Sequence, residues 1–116
     1  MENIYLNKNS VEEFSKNIKY NEISLNEAGR ITYEYFKSIN KNILSILDIG
    51  VGNGNFTFPF IDGLLSAGLS KFYLDCFDIS DYMLKEFEKK LNNEKINLKP
   101  YVKYFKHDAE KGLLPV

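Results

Sequence analysis

The strongest constraint on this chain is the segment Gly50-Val51-Gly52-Asn53-Gly54, set between the apolar run Ile43-Leu44-Ser45-Ile46-Leu47-Asp48-Ile49 and a stretch of helical periodicity. An apolar run so nearly unbroken suits a parallel strand covered on both faces better than an alternating surface strand. Closely spaced glycines permit a tight turn and let a ligand approach the backbone. A dinucleotide-binding loop would carry a third glycine at position 55, where this chain has Asn55,. No Gly-Lys-Ser or Gly-Lys-Thr follows to make a phosphate-cradling loop either,. The turn therefore suits a nucleoside ligand without a pyrophosphate, and a nicotinamide-dependent oxidoreductase is disfavoured.

The flanking patterns predict an α/β order. Asn55 to Ala67 carries Phe56, Phe60, Ile61, Leu64 and Leu65 at helical spacing, with Pro59 in the first turn and Gly68 as the stop,. Phe72 to Asp78 reads as a second strand, and Ser80 as the cap of a helix burying Met83, Leu84, Phe87 and Leu91, with Glu86 and Lys90 as an i,i+4 pair,. Pro100 ends the linker before a third strand, from Tyr101 to Lys106 or His107. Upstream, Ser10 with Glu13 and Ser24 with Glu27 have capping-box spacing,. They predict one helix over Val11 to Tyr20 and another from Leu25 to near Asn40, with Lys37 and Lys41 at its negative end,. Strand, helix, strand, helix, strand from residue 43 implies a right-handed parallel sheet.

With 116 residues, 44% of them hydrophobic, the chain suffices for one compact domain,. The expected division is a helical cap over 1–42 and a sheet domain over 43–116. Fifteen Lys plus Arg against 16 Asp plus Glu leave a net charge of -1, which supplies no field for nucleic acid or an anionic membrane,. The single Cys76 excludes an internal disulfide framework and any multi-cysteine zinc site, and one histidine cannot make a metal centre,. No apolar stretch approaches the roughly 18–20 residues of a membrane span, and Met1-Glu2-Asn3-Ile4 does not begin a secretory leader,. The expected compartment is the cytoplasm.

Three motifs then resemble one family. Leu47-Asp48-Ile49-Gly50-Val51-Gly52-Asn53-Gly54 is similar to the first motif of class I S-adenosylmethionine-dependent methyltransferases, an acidic residue followed by G-x-G-x-G. Phe77-Asp78-Ile79-Ser80-Asp81-Tyr82-Met83-Leu84 resembles their D-x-S-x-x-M-L, and His107-Asp108-Ala109-Glu110-Lys111-Gly112-Leu113-Leu114-Pro115 resembles the D-A-x-x-L-P segment after the third strand. The resemblance covers residues 43–115 and implies a Rossmann-like three-layer sandwich, of which this chain supplies the first half: three parallel strands in the order 3-2-1, preceded by two N-terminal helices.

The implied ligand is S-adenosylmethionine, with S-adenosylhomocysteine as product. By the resemblance, Asp48, Gly50, Gly52, Asn53 and Gly54 wrap the amino-acid end of the cofactor. Asp78, with Ile79 beside it, accepts the ribose hydroxyl protons, a task suited to a carboxylate at a strand end. Asp108 accepts from the adenine amino group, and the Ala109 backbone borders the ring. Asp48 either orients the loop or meets the cofactor's amino group. Phe56 and Met83 either touch the adenosine or serve the helix–sheet core. Asp75 reads as a solvated strand residue, Cys76 as core packing, and His107 as a structural histidine beside Asp108.

A complete domain of that family has the strand order 3-2-1-4-5-7-6, so the first strand here is left with a bare edge where the fourth belongs. Such edges pair or aggregate. The chain is then the N-terminal piece of a longer enzyme, half of a split enzyme completed by a second polypeptide, or a self-associating protein. Each case predicts little methyl transfer by these residues alone, and no catalytic residue is expected among them. The motifs lean toward a small-molecule acceptor; the sequence identifies neither that acceptor nor the atom methylated. The alternative function is a non-catalytic binding or regulatory module of a split or heteromeric methyltransferase.

Overall fold

The computed structural model describes residues 21–112. The helix expected over Val11 to Tyr20, with its Ser10 cap, lies outside the described residues, as do Leu113 to Val116. Six principal elements follow in order: α1 (Glu22–Ser38), β1 (Ile43–Ile49), α2 (Thr57–Ser66), β2 (Lys71–Asp78), α3 (Asp81–Asn93) and β3 (Val102–Lys106). Short 3-10 turns occupy Ile96–Tyr101 and Ala109–Lys111. The three strands pair in parallel in the order β1-β2-β3, with Ile43 opposite Lys71 and Leu74 opposite Val102. This is the expected 3-2-1 order, and the fold is Rossmann-like.

Alternation along the strands decides where the core sits. Phe72, Leu74 and Cys76 of β2 are fully buried, and they belong to one apolar cluster with Ile61 and Leu64 of α2 and Leu84, Phe87 and Leu91 of α3. The rings of Phe58 and Phe87 stack at 5.1 Å where α2 meets α3. Each such side chain contributes roughly 1.5–3 kcal/mol by leaving water. Burial, followed by the carboxylates of Asp48 and Asp75, pushes the Cys76 thiol far up, consistent with a packing role,.

The expectation that β1 would be covered on both faces is met on one only. Leu44, Ile46 and Asp48 are half-buried toward the helices, whereas Ile43, Leu47, Ile49 and neighbouring Tyr73 each keep about half of their surface in solvent. No helix among the described residues covers that second face.

Local starts and stops follow backbone chemistry. The Ser80 hydroxyl caps α3 by accepting from the Met83 N–H at 3.2 Å, as its position predicts. Gly68, with φ +112, ends the turn after α2,. Three local expectations need correction. The first described helix begins at Glu22 behind Asn21, so Ser24 lies within the helix and does not cap it. Glu86 pairs with Lys89 at 3.3 Å instead of with Lys90, whose amine turns to the Asn55 side chain. Pro100 and Tyr101 belong to the 3-10 turn, so the third strand starts at Val102.

Where α1 crosses α2 the backbones touch. A Cβ on Gly29 would stand 2.1 Å from the Phe60 carbonyl oxygen, and one on Gly63 would stand 1.9 Å from that of Asn26. Only glycine permits this approach.

Candidate functional site

The site forms where β1 and β2 run out side by side. The turn after β1 is tied to the end of β2 by three backbone donors. Gly50 and Val51 give their N–H groups to the Phe77 carbonyl at 2.7 and 3.0 Å, and Gly52 gives its own to Asp78 Oδ2 at 2.8 Å. Asp78 Oδ1 accepts from the Ser80 N–H at 2.8 Å, and its carbonyl accepts from the His107 N–H at 3.0 Å. A single residue thus joins the glycine turn, the start of α3 and the chain leaving β3. Each carboxylate oxygen keeps a further lone pair for a ligand hydroxyl.

The two flanking glycines serve different ends. Gly50 has φ +78, and a Cβ there would meet nothing within 4 Å, so the backbone at this point opens to free space. Gly54 has φ +87, and a Cβ there would stand 2.4 Å from the Phe58 ring. Its small size is required by packing beneath the loop. Asn53 is buried, and its Oδ1 accepts from the Asn55 N–H at 3.1 Å, which braces the turn from within.

Asp48 ends β1 next to last and accepts from the Thr57 hydroxyl at 2.5 Å. Burial pushes its carboxyl up; the Thr57 hydrogen bond works the other way, and the charge of Asp78 adds to the rise,. The two carboxylates therefore lie close enough for one to feel the other's charge, and Asp48 is held above the ordinary aspartate range. A cation brought near would favour the ionised form of Asp48,.

The remaining expected residues divide. Ile79 and Phe56 are exposed beside the turn, whereas Met83 is a buried residue of the first turn of α3. Asp108 follows β3, and its Oδ1 accepts from the Glu110 N–H at 2.9 Å, which caps the short turn opened by Ala109. The His107 ring packs edge-on to Phe77 with centroids 6.1 Å apart, in keeping with a structural histidine. No cluster of three or more His, Cys, Asp or Glu suited to a metal ion occurs among the described residues.

Sequence reading missed Thr57 and the pairing of Lys90 with Asn55. Thr57 was hidden because a threonine at a helix start ordinarily signals local capping. A cavity of about 460 Å³ opens behind the loop, with Glu22, Asn26, Gly54, Asn55, Pro59 and Lys90 in its walls. Neither Asp48 nor Asp78 lines it, so the strand-end carboxylates define a separate place. No helix among the described residues is long and apolar enough to cross a membrane.

No curated protein sequence matches the chain significantly. Among solved structures, a Methanococcus maripaludis protein assigned as an S-adenosyl-L-methionine-dependent methyltransferase superimposes with a TM-score of 0.58 at 19% identity, over 100% of this chain and 48% of that one. The glycopeptide N-methyltransferase MtfA, complexed with sinefungin, does so with a TM-score of 0.52 at 19% identity, over 76% of this chain and 32% of its own. The chain thus spans about half the length of the first structure and about a third of the second is matched. Both likenesses show the fold. The profile of the ubiE/COQ5 methyltransferase family matches residues 29–115, three quarters of the chain and all three strands, and the chain belongs to that family.

Proposed function

We propose that these residues form the S-adenosylmethionine-binding half of a class I methyltransferase acting on a small-molecule acceptor. The observation that carries this reading is the pairing of Asp48 and Asp78 at adjacent strand ends around a turn whose backbone opens at Gly50. A sulfonium cofactor offers matching chemistry: positive charge for the carboxylates, vicinal hydroxyls for Asp78, and an adenine for the segment at Asp108 and Ala109. MtfA, which shares the fold, was crystallised with sinefungin, an analogue of that cofactor.

When bound, S-adenosylmethionine supplies a methyl group already activated for in-line displacement. The chain's own residues then have to bind, align and exclude water. Asp78 holds the ribose while keeping the turn in place through Gly52, and Asp48 balances the cationic end. The acceptor-binding half lies against the edge of β1 that pairs with no strand among the described residues. It is contributed by the same polypeptide or by a second chain.

Calorimetric titration with S-adenosylmethionine and S-adenosylhomocysteine tests this. The wild-type chain is expected to bind both, and Asp78→Ala to weaken binding at least tenfold, since charge-assisted hydrogen bonds are worth about 1.5–3 kcal/mol. A folded wild-type chain that binds neither compound would refute the reading and favour a non-catalytic module built on the same fold.

A further inference from the structure

We propose that Thr57 is a positioning residue for the strand-end carboxylates: its hydroxyl clasps Asp48 across the base of the glycine turn, closing the turn and holding Asp48 as an acceptor for a cationic ligand. This rests on the cofactor reading above and adds a residue that no motif marked.

Three observations carry it. Thr57 is buried, and its hydroxyl reaches Asp48 Oδ2 at 2.5 Å, a length typical of an O–H donor on an ionised carboxylate,. The bond links the end of β1 to the first residue of α2, so the whole turn is bracketed at its base. Gly52, near the middle of the turn, is held by Asp78. One carboxylate thus fixes the neck of the loop and the other its crown.

Thr57 also has only one hydroxyl proton to give. Phe56 precedes α2 without a side-chain cap, and Thr57 sends its proton across the turn to Asp48. The groups facing Asp48 are Thr57 on α2, and Asp78 and Cys76 on β2; of these Thr57 is the donor, while the Asp78 charge opposes ionisation. Loss of the hydroxyl would leave Asp48 half-buried with a like charge nearby. The protonated form would then be easier to reach than in wild type, and a carboxyl that is neutral over more of the pH range balances a cation less well,.

The test compares Thr57→Val, which keeps the shape and removes the hydroxyl, with Thr57→Ser, which keeps the hydroxyl. At neutral pH the valine variant is expected to bind S-adenosylmethionine roughly ten- to a hundredfold more weakly. Its binding should reach half-maximum at a higher pH than in wild type, and serine should restore both quantities. In the ligand-free chain, amide exchange over residues 52–55 should quicken with valine and not with serine.

Valine equal to wild type in affinity, pH midpoint and exchange overturns the proposal, as does a loss that serine fails to restore. A wild-type chain that binds no cofactor refutes the functional reading instead, and the exchange comparison still decides the clasp. Should the valine variant not fold, alanine against serine makes the same comparison, and alanine behaving like wild type overturns the proposal.

Discussion

Replacing Gly29 or Gly63 by alanine sets two known effects against each other at one helix crossing. In an isolated helix the change favours folding by about 0.8–1 kcal/mol, because alanine loses less backbone freedom. Here the added Cβ meets backbone. Ordinary contact begins near 3.4 Å, so a Cβ at Gly29 needs about 1.3 Å more room from the Phe60 carbonyl, and one at Gly63 about 1.5 Å from Asn26. Neither obstacle can rotate away as a side chain could. Moving α1 off α2 by that distance loosens packing around Tyr33 and Leu64, both part of the core.

Overpacking of this kind typically costs about 1–3 kcal/mol and sometimes more. With the propensity gain subtracted, each alanine is expected to destabilise by roughly 0–2 kcal/mol, or more where the helices cannot shift. For a domain of this size that lowers Tm by roughly 4–8 °C per kcal/mol. The double variant should fall short of additivity, since one displacement of α1 relieves both contacts. Urea midpoints at constant m-value measure all three variants. A midpoint raised by either single alanine would show that propensity dominates and that the crossing is looser than described.

Two further predictions concern charge and the open face. Burial, and then the charge of Asp78, hold Asp48 above its usual value of 3.8 against the opposing Thr57 bond, so the folded chain retains that proton more firmly than the unfolded one. Stability should therefore decline as pH climbs from the ordinary carboxylate range through the raised value, and level off beyond it. Asp48→Asn removes the decline, and its urea midpoint should exceed that of wild type increasingly as pH rises above the ordinary carboxylate range,; parallel curves would contradict the assignment. On the sheet face that no helix among the described residues covers, Ile43→Lys with Leu47→Lys should reduce self-association in sedimentation velocity,. A wild-type chain that remains monomeric at high concentration would show that this face does not drive association.

The α3 core was legible because it rests on local periodicity, whereas the strand order followed from the resemblance of the three motifs to a known family. Phe87 and Leu91 recur on one helical face, and Ser80 sits where a cap belongs,. Asp78 was legible at a strand end because it closes the apolar run that begins at Phe72, and its place in the site followed from the resemblance of Phe77 to Leu84 to a family motif. Thr57 was not legible, because its partner lies nine residues back and only the closed turn brings them together. The glycines at 29 and 63 were equally silent: each looks like a weak spot in a helix until the other helix is present. The bare face of β1 escaped notice because an apolar run reports what the sequence would bury, and coverage depends on what is there to do it.

The ties from the turn to Phe77 and Asp78 also bear on how the protein is made. A nascent chain emerges glycines first, yet the acceptors that mould them arrive 26 residues later. Until β2 has docked, the segment 50–54 has only its local ties, Asn53 to Asn55 and Thr57 to Asp48, to favour its final curve, and closing the gap to Phe77 and Asp78 carries the entropy of a long loop. Synthesis halted before Phe77 would yield a polypeptide holding every glycine of the cradle and none of the β2 acceptors that fix its shape.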